Sequence, residues 1–142
     1  MIVLSLFIPA VMAMGGNTGI QTSTVTVRSL ATGQLQPGDA FRLIFRELRI
    51  ALVIALCLGA LTFVVARVWL GGTLVGGCVG LAMFAAIVLS ACLGAVIPLV
   101  FLRTGIDPAV ASGPLITTLN DCLSLTIYFG IAVLLLGKFA AN

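Results

Sequence analysis

Three long apolar runs organise the chain. Ile50 to Leu70, Thr73 to Leu102 and Leu115 to Leu136 each match or exceed the roughly 20 residues that a helix needs to cross a hydrocarbon core about 30 Å thick. Arg67 lies near the end of the first run. The second is long enough to tilt, or to carry the kink that Pro98 invites. A polar cluster near its start is the only interruption in the third. The N-terminal segment behaves differently. Met1 to Met14 is apolar but short, Gly15-Gly16-Asn17 interrupts it, and Thr and Ser then dominate as far as Arg28. No basic residue precedes the apolar stretch and amides follow it, which fits a signal peptide poorly. The pattern predicts one discontinuous span from Met1 to about Ala31, broken at Gly15-Gly16. Polar backbone at membrane depth survives only where protein buries it or water reaches it, so the break is a candidate functional site.

Between the N-terminal segment and the run that starts at Ile50, Gln34 to Arg49 forms the main loop. Pro37-Gly38-Asp39 reads as a turn with Asp39 as the cap of a following helix. Residues 40–49 set Arg42, Arg46 and Arg49 beside Phe41, Leu43, Ile44 and Phe45, the pattern of an amphipathic helix lying against anionic lipid. The expected architecture is an all-α membrane protein of one domain, 1–142, with about four transmembrane helices and an amphipathic connecting helix. With four spans, the side of the 34–49 loop collects Arg28, Arg42, Arg46, Arg49 and Arg103, while the other side keeps Arg67 and Lys138. Five basic residues against two place the 34–49 loop in the cytoplasm, in a multi-pass protein of the cell (inner) membrane. Both termini then fall outside, which leads to the expectation that a preceding span is missing.

Composition confirms the solvent. Apolar residues make up 61% of the chain and charged residues 8%, against about a quarter charged in soluble domains. There is no histidine, so histidine-based triads and imidazole zinc sites are closed off, and the chain reads as a transport protein and not an enzyme. The net charge of +3 comes from scattered arginines and not from a dense basic patch with aromatics between, which argues against nucleic acid. Cys57, Cys78, Cys92 and Cys122 sit apart in apolar runs, as buried small hydrophobes do.

Costly polar groups within the spans carry the remaining information. Asp121 is the one acidic residue well inside an apolar run. Intramembrane carboxylates mark ion or proton paths by default, with a hydrogen-bonded helix contact or a neutral protonated acid as the plainer alternative. Thr117, Asn120, Asp121 and Ser124 share its helical face by spacing. Asn17, Gln21, Thr24 and Arg28 form a second single-face stripe, whose amide oxygens suit a hard cation's hydration shell or, equally, helix–helix hydrogen bonds. Together the two stripes read as the wall of a hydrophilic path lined by Gln21, Thr24, Asn120 and Ser124. Two rows of small residues, Gly72, Gly76, Gly80 and Ala82, Ala86, Ser90, Gly94, predict close helix packing without chemistry. Asp107-Pro108 reads as an N-cap with proline at the first helical position, and Gly113-Pro114 as a break before the last span.

Two motifs add a resemblance. Pro9, then Gly15-Gly16-Asn17-Thr18-Gly19-Ile20-Gln21-Thr22, then Val27-Arg28-Ser29-Leu30-Ala31-Thr32-Gly33, resembles the GGNxGxQ…VRxLAxG signature of MgtE-type magnesium channels. Asp107-Pro108-Ala109, Gly113-Pro114 and Thr117-Thr118-Leu119-Asn120-Asp121 resemble the DPAxxxGPxxTTxxD element of the same family. The resemblance implies a homodimeric cation channel with its pore along the two-fold axis. It makes Asp121 the ion-selecting carboxylate, with Asn17 beside it and Thr117 one turn away, and it puts Asp107 at the cytoplasmic mouth, where it helps bind regulatory magnesium. The expected metal-binding residues are thus Asp121, Asn17, Thr117 and Asp107, and the expected cargo is Mg²⁺, with other divalent cations as candidates. Family members usually carry a cytosolic N-terminal domain, a CBS pair and five spans, so the expected partners are membrane lipid, a second copy and a separate regulatory chain of CBS type. A proton-coupled transporter, or a pore module that needs a partner chain, are the alternative readings.

Overall fold

The computed structural model describes residues 2–34, 37–111 and 113–140, with side-chain surroundings for 4–34, 38–111 and 113–135. Among them there is no strand. The order is α1 (Ile2–Ser5), α2 (Ile8–Ala31), a 3₁₀ turn (Pro37–Asp39), α3 (Ala40–Leu70), α4 (Thr73–Arg103), a second 3₁₀ turn (Pro108–Ala111) and α5 (Pro114–Ala140). Helices α3, α4 and α5 are long and apolar enough to cross a bilayer. The polar residues of α2 keep it out of that set, although its 24 residues span about 36 Å.

Two expectations are corrected. The first span is not broken at Gly15-Gly16, because α2 runs helical from Ile8 to Ala31 through both residues. The interruption lies earlier, at Leu6-Phe7, and Pro9 falls in the first turn of α2, where its missing N–H leaves no bond unmade. Nor is there a separate interfacial helix over residues 40–49. That segment is the opening third of α3, whose 31 residues span about 46 Å, enough for the hydrocarbon core and both headgroup layers.

Helix α4 occupies the centre, packed against α3 on one side and against α2, α5 and the second 3₁₀ turn on the other. It joins α3 through Gly71-Gly72. Gly71 ends α3 in the left-handed region (φ 68°), which a side chain would disfavour, and its N–H donates to the Arg67 carbonyl at 2.9 Å. Both small-residue rows serve packing. Gly76 and Gly80 receive Phe63 and Gly59 of α3, while Ala82, Ala86, Ser90 and Gly94 are buried. An apolar core of Leu4, Phe7, Val11, Val79, Met83, Ile87 and Tyr128 fills one end of the bundle. There the Tyr128 hydroxyl donates to the Leu4 carbonyl at 2.6 Å and holds α1 in place.

Gly94 marks a close backbone crossing of α4 with α2. A methyl group there would run into the Gly19 carbonyl oxygen and lie 3.1 Å from both the Ser23 nitrogen and Thr22 Cβ, so the obstacle includes α2 backbone. A methyl on Gly77 would meet nothing within 4 Å. Gly94→Ala should therefore lower the melting temperature in detergent, at a cost of about 1–3 kcal/mol from overpacking. Gly77→Ala should hold level or gain up to about 1 kcal/mol from helix propensity. Equal melting temperatures for the two variants would contradict this packing.

Candidate functional site

Helix α2 carries two polar faces, and only one of them points outward. Asn17, Gln21, Thr24 and Arg28 are exposed at the surface of the bundle. Thr22, Ser23 and Thr26 are buried, with the Ser23 hydroxyl donating to the Ala111 carbonyl of the second 3₁₀ turn and Thr26 Oγ1 to the Thr22 carbonyl at 2.9 Å. A sequence-level helical wheel singles out the outer face. The inner one was legible only as a Thr/Ser-rich stretch, because nothing local says that Ser23 meets a carbonyl 88 positions away.

Asp121 meets α2 at Gly16, the residue before Asn17, whereas Gln21 borders a cleft with Thr18, Thr22, Glu47 and Ile50 on the α3 side. A methyl on Gly16 would sit 3.5 Å from Thr117 Cγ2 and 3.9 Å from Asp121 Oδ1, so α5 rests against α2 at the level of Asn17. Thr117 and Asp121 are half-buried at the edge of this contact. Thr117 Oγ1 donates to the Gly113 carbonyl at 2.8 Å, so its hydroxyl is already committed to its own helix. Asp121 lies seven residues past Pro114, about 10 Å into the span.

Asn120 and Ser124, expected to line the same path, are instead placed inside the chain. Asn120 is 1% exposed and Ser124 2%. Asn120 faces Gly19, where any side chain would collide with its amide, and Ser124 faces Gly15, where a methyl would lie 2.6 Å from its hydroxyl and 3.1 Å from that of Ser90. Neither amide atom of Asn120 has a hydrogen-bond partner among the described residues, a burial that ordinarily costs about 1–3 kcal/mol. The four residues do share one helical arc, but α2 covers one edge of it and leaves the edge with Thr117 and Asp121 accessible.

Asp107 is not brought to Asp121. It is exposed at the end of the bundle, where its Oδ1 accepts from the Ala109 N–H at 2.9 Å and caps the second 3₁₀ turn, as the Asp-Pro pair predicts. It borders a groove of about 260 Å³ shared with Val27, Leu30, Ala31, Leu102, Pro108 and Ala109. That groove, with another lined by Ala40, Ile44 and Arg103, places the C-terminus of α2, the N-terminus of α3 and the C-terminus of α4 at one end. Among the described residues, no three of His, Cys, Asp and Glu gather closely enough to hold a metal ion. One chain thus presents the Asp121 carboxylate half-buried against α2, with Thr117 one turn away on the same helix.

Residues 8–131 match the MgtE family, described as divalent cation transporters. The chain is 42% identical over 131 residues to the magnesium transporter MgtE of Bacillus subtilis strain 168, covering 92% of this chain and 29% of that protein. It is 38% identical over 137 residues to the magnesium transporter MgtE of Enterococcus faecalis (96% and 30%) and 37% identical over 134 residues to that of Thermus thermophilus (94% and 29%). The chain therefore spans about three-tenths of the length of these relatives, each of which is named as a transporter and none as an enzyme. Matched by the family over residues 8–131 and by these relatives at 37–42% identity, the chain belongs to the MgtE family of divalent cation transporters.

Proposed function

We propose that the chain forms the membrane-embedded path of a magnesium transporter, completed by a second copy across a two-fold axis that passes near Asp121. One observation carries the reading: Gly16 lets α5 close on α2 so that Asp121 and Thr117 stand half-buried at the level of Asn17, where the outward Asn17–Gln21–Thr24–Arg28 stripe begins. Amides and a guanidinium facing lipid are costly, so this face calls for water or a protein partner. A second copy supplies both. Two Asp121 carboxylates then match the charge of one divalent ion. Mg²⁺ sheds its waters reluctantly and is held through them by one or two carboxylates, with Asn17 and Thr117 offering neutral oxygens to the hydration shell. Gln21 and Thr24 continue the wall of the path. The arginine-rich end of the bundle faces the cytoplasm by the excess of basic residues, and Asp107 stands at that mouth. Asn120 and Ser124 act indirectly, by fixing the angle at which α5 presents Asp121.

Replacing Asp121 with Asn keeps the shape and removes two negative charges from the constriction. In liposomes containing this chain, Asp121→Asn should reduce Mg²⁺ flux by at least about tenfold, since unit charges 4 Å apart at an effective dielectric of about 20 interact by roughly 4 kcal/mol. Asp107→Asn keeps an oxygen for the Ala109 N–H and should have the smaller effect. Undiminished flux in Asp121→Asn, at equal membrane insertion, would exclude the carboxylate from the path.

The shared axis can be tested through a native side chain. Cys122 follows Asp121 and is exposed, while Cys57 is exposed on α3. In a Cys57→Ser background, a short bifunctional thiol reagent applied to native membranes should trap a covalent dimer, and Cys122→Ser should abolish it. Divalent flux from a chain that stays monomeric under these conditions would refute the two-fold path.

A further inference from the structure

We propose that the opening third of α3 carries a binding site for anionic phospholipid, with Arg46 and Arg49 holding the phosphate and Ile50 and Val53 bedding an acyl chain. These four residues line a groove of about 430 Å³ on the outer side of α3. The site is separate from the path at Asp121 and does not depend on how ions move.

Depth is the first argument. Ile50 to Leu70 amounts to 21 residues, about 31 Å of helix, which fills the hydrocarbon core. Because α3 continues straight out of this run, Arg49 and Arg46 stand at the level of the lipid phosphates, one helical turn apart. An interfacial helix lying flat would have spread them along the surface instead.

Charge and apolar surface are matched to one kind of ligand. Arg46, Arg49, Ile50 and Val53 are all exposed, the last two at 47% and 61%, so none of the described residues covers the groove. Guanidinium groups at its upper end and aliphatic carbons at its lower end complement a phosphodiester with an acyl tail. A soluble anion would leave the aliphatic floor unused, and a neutral lipid would leave Arg49, which unlike Arg46 has no carboxylate beside it among the described residues, without a net negative charge to meet.

Both arginines are held ready. Arg46 donates from Nε (3.2 Å) and Nη2 (3.1 Å) to one oxygen of Glu47, a side chain that is itself buried. That single-oxygen pairing leaves further guanidinium hydrogens for a phosphate, whose geometry suits arginine better than lysine. Arg49 lies with its guanidinium carbon 5.7 Å from the centroid of the Phe45 ring, which restrains it without using its hydrogen bonds. Arg42, one turn before Arg46, adds a third positive charge at the same end.

The test is native mass spectrometry of the purified chain with phosphatidylglycerol or phosphatidylcholine of identical acyl chains. The parent should retain phosphatidylglycerol in preference. A basic residue near the membrane surface contributes on the order of fivefold in affinity, so Arg49→Gln should weaken phosphatidylglycerol about fivefold and Arg46→Gln/Arg49→Gln about thirtyfold, with phosphatidylcholine unchanged. Arg49→Gln is the decisive variant, because removing Arg46 also strands the buried Glu47 carboxylate. Arg67→Gln, at the far end of α3, should match the parent. Ile50→Ser/Val53→Ser should weaken the intact lipid but leave the headgroup glycerophosphoglycerol unaffected. Equal retention of the two lipids, or an Arg49→Gln variant as tight as the parent, would overturn the proposal. So would inorganic phosphate displacing phosphatidylglycerol as effectively as added phosphatidylglycerol does, since the site would then take a free anion.

Discussion

The close approach of α2 to α4 and α5 is the constraint on which the rest of the bundle depends. A helix carrying Asn17, Gln21, Thr24 and Arg28 is too polar to persist at membrane depth through hydrophobicity, so packing must hold it there. Lipid tails are as apolar as any side chain, and helices in a bilayer associate through van der Waals contact and hydrogen bonds that need near-touching backbones. Gly15, Gly16 and Gly19 on α2 and Gly94 on α4 provide that approach. Each glycine costs up to about 1 kcal/mol of helix propensity, and the contacts it permits offset that loss.

From this approach follows the division of the polar residues. Once α5 lies against Gly15, Gly16 and Gly19, Ser124 and Asn120 are trapped inside and Asp121 is held at the rim. The hydroxyls of Thr18, Thr26 and Thr117 turn back to carbonyls of their own helices, which keeps them from disturbing the contact. The Ser23 hydroxyl ties α2 to the 3₁₀ turn that Asp107 caps. Asp121 within α5 and Asp107 at the end of the bundle are thus joined through packed elements without touching. Helix α3 stands apart from this system, leaning almost wholly on α4, and its outer face is left for lipid.

Much of this was legible along the chain. Spans over Ile50–Leu70, Thr73–Leu102 and Leu115–Leu136 were readable because membrane insertion responds to the summed hydropathy of about 20 residues, a quantity no fold can alter. The Asp107-Pro108 cap, the break at Gly113-Pro114 and the packing role of the small-residue rows were readable for a similar reason: each rests on interactions within one or two turns. The Gly15-Gly16 pair was not. Two adjacent glycines are the signature both of a broken helix and of one that admits a neighbour, and only the presence of Ser90, Thr117 and Ser124 opposite them selects the second.

The sequence by itself determined that the chain is helical, where its three long apolar runs lie, and that costly polar groups gather on α2 and α5, but not that α2 runs unbroken through Gly15-Gly16 or that α3 begins at Ala40. Tertiary structure decided which of those groups an ion or a lipid can reach. Thr117, Asn120, Asp121 and Ser124 occupy one arc by the helical period alone, yet the line where α2 touches that arc buries two of them and leaves two at its edge. Likewise the period sets Arg46 and Arg49 on one side of a helix, but the unbroken course of α3 sets their depth. Hydropathy and periodicity are sums over neighbours in the chain, whereas exposure depends on neighbours in space, and those are fixed only when the helices close on one another.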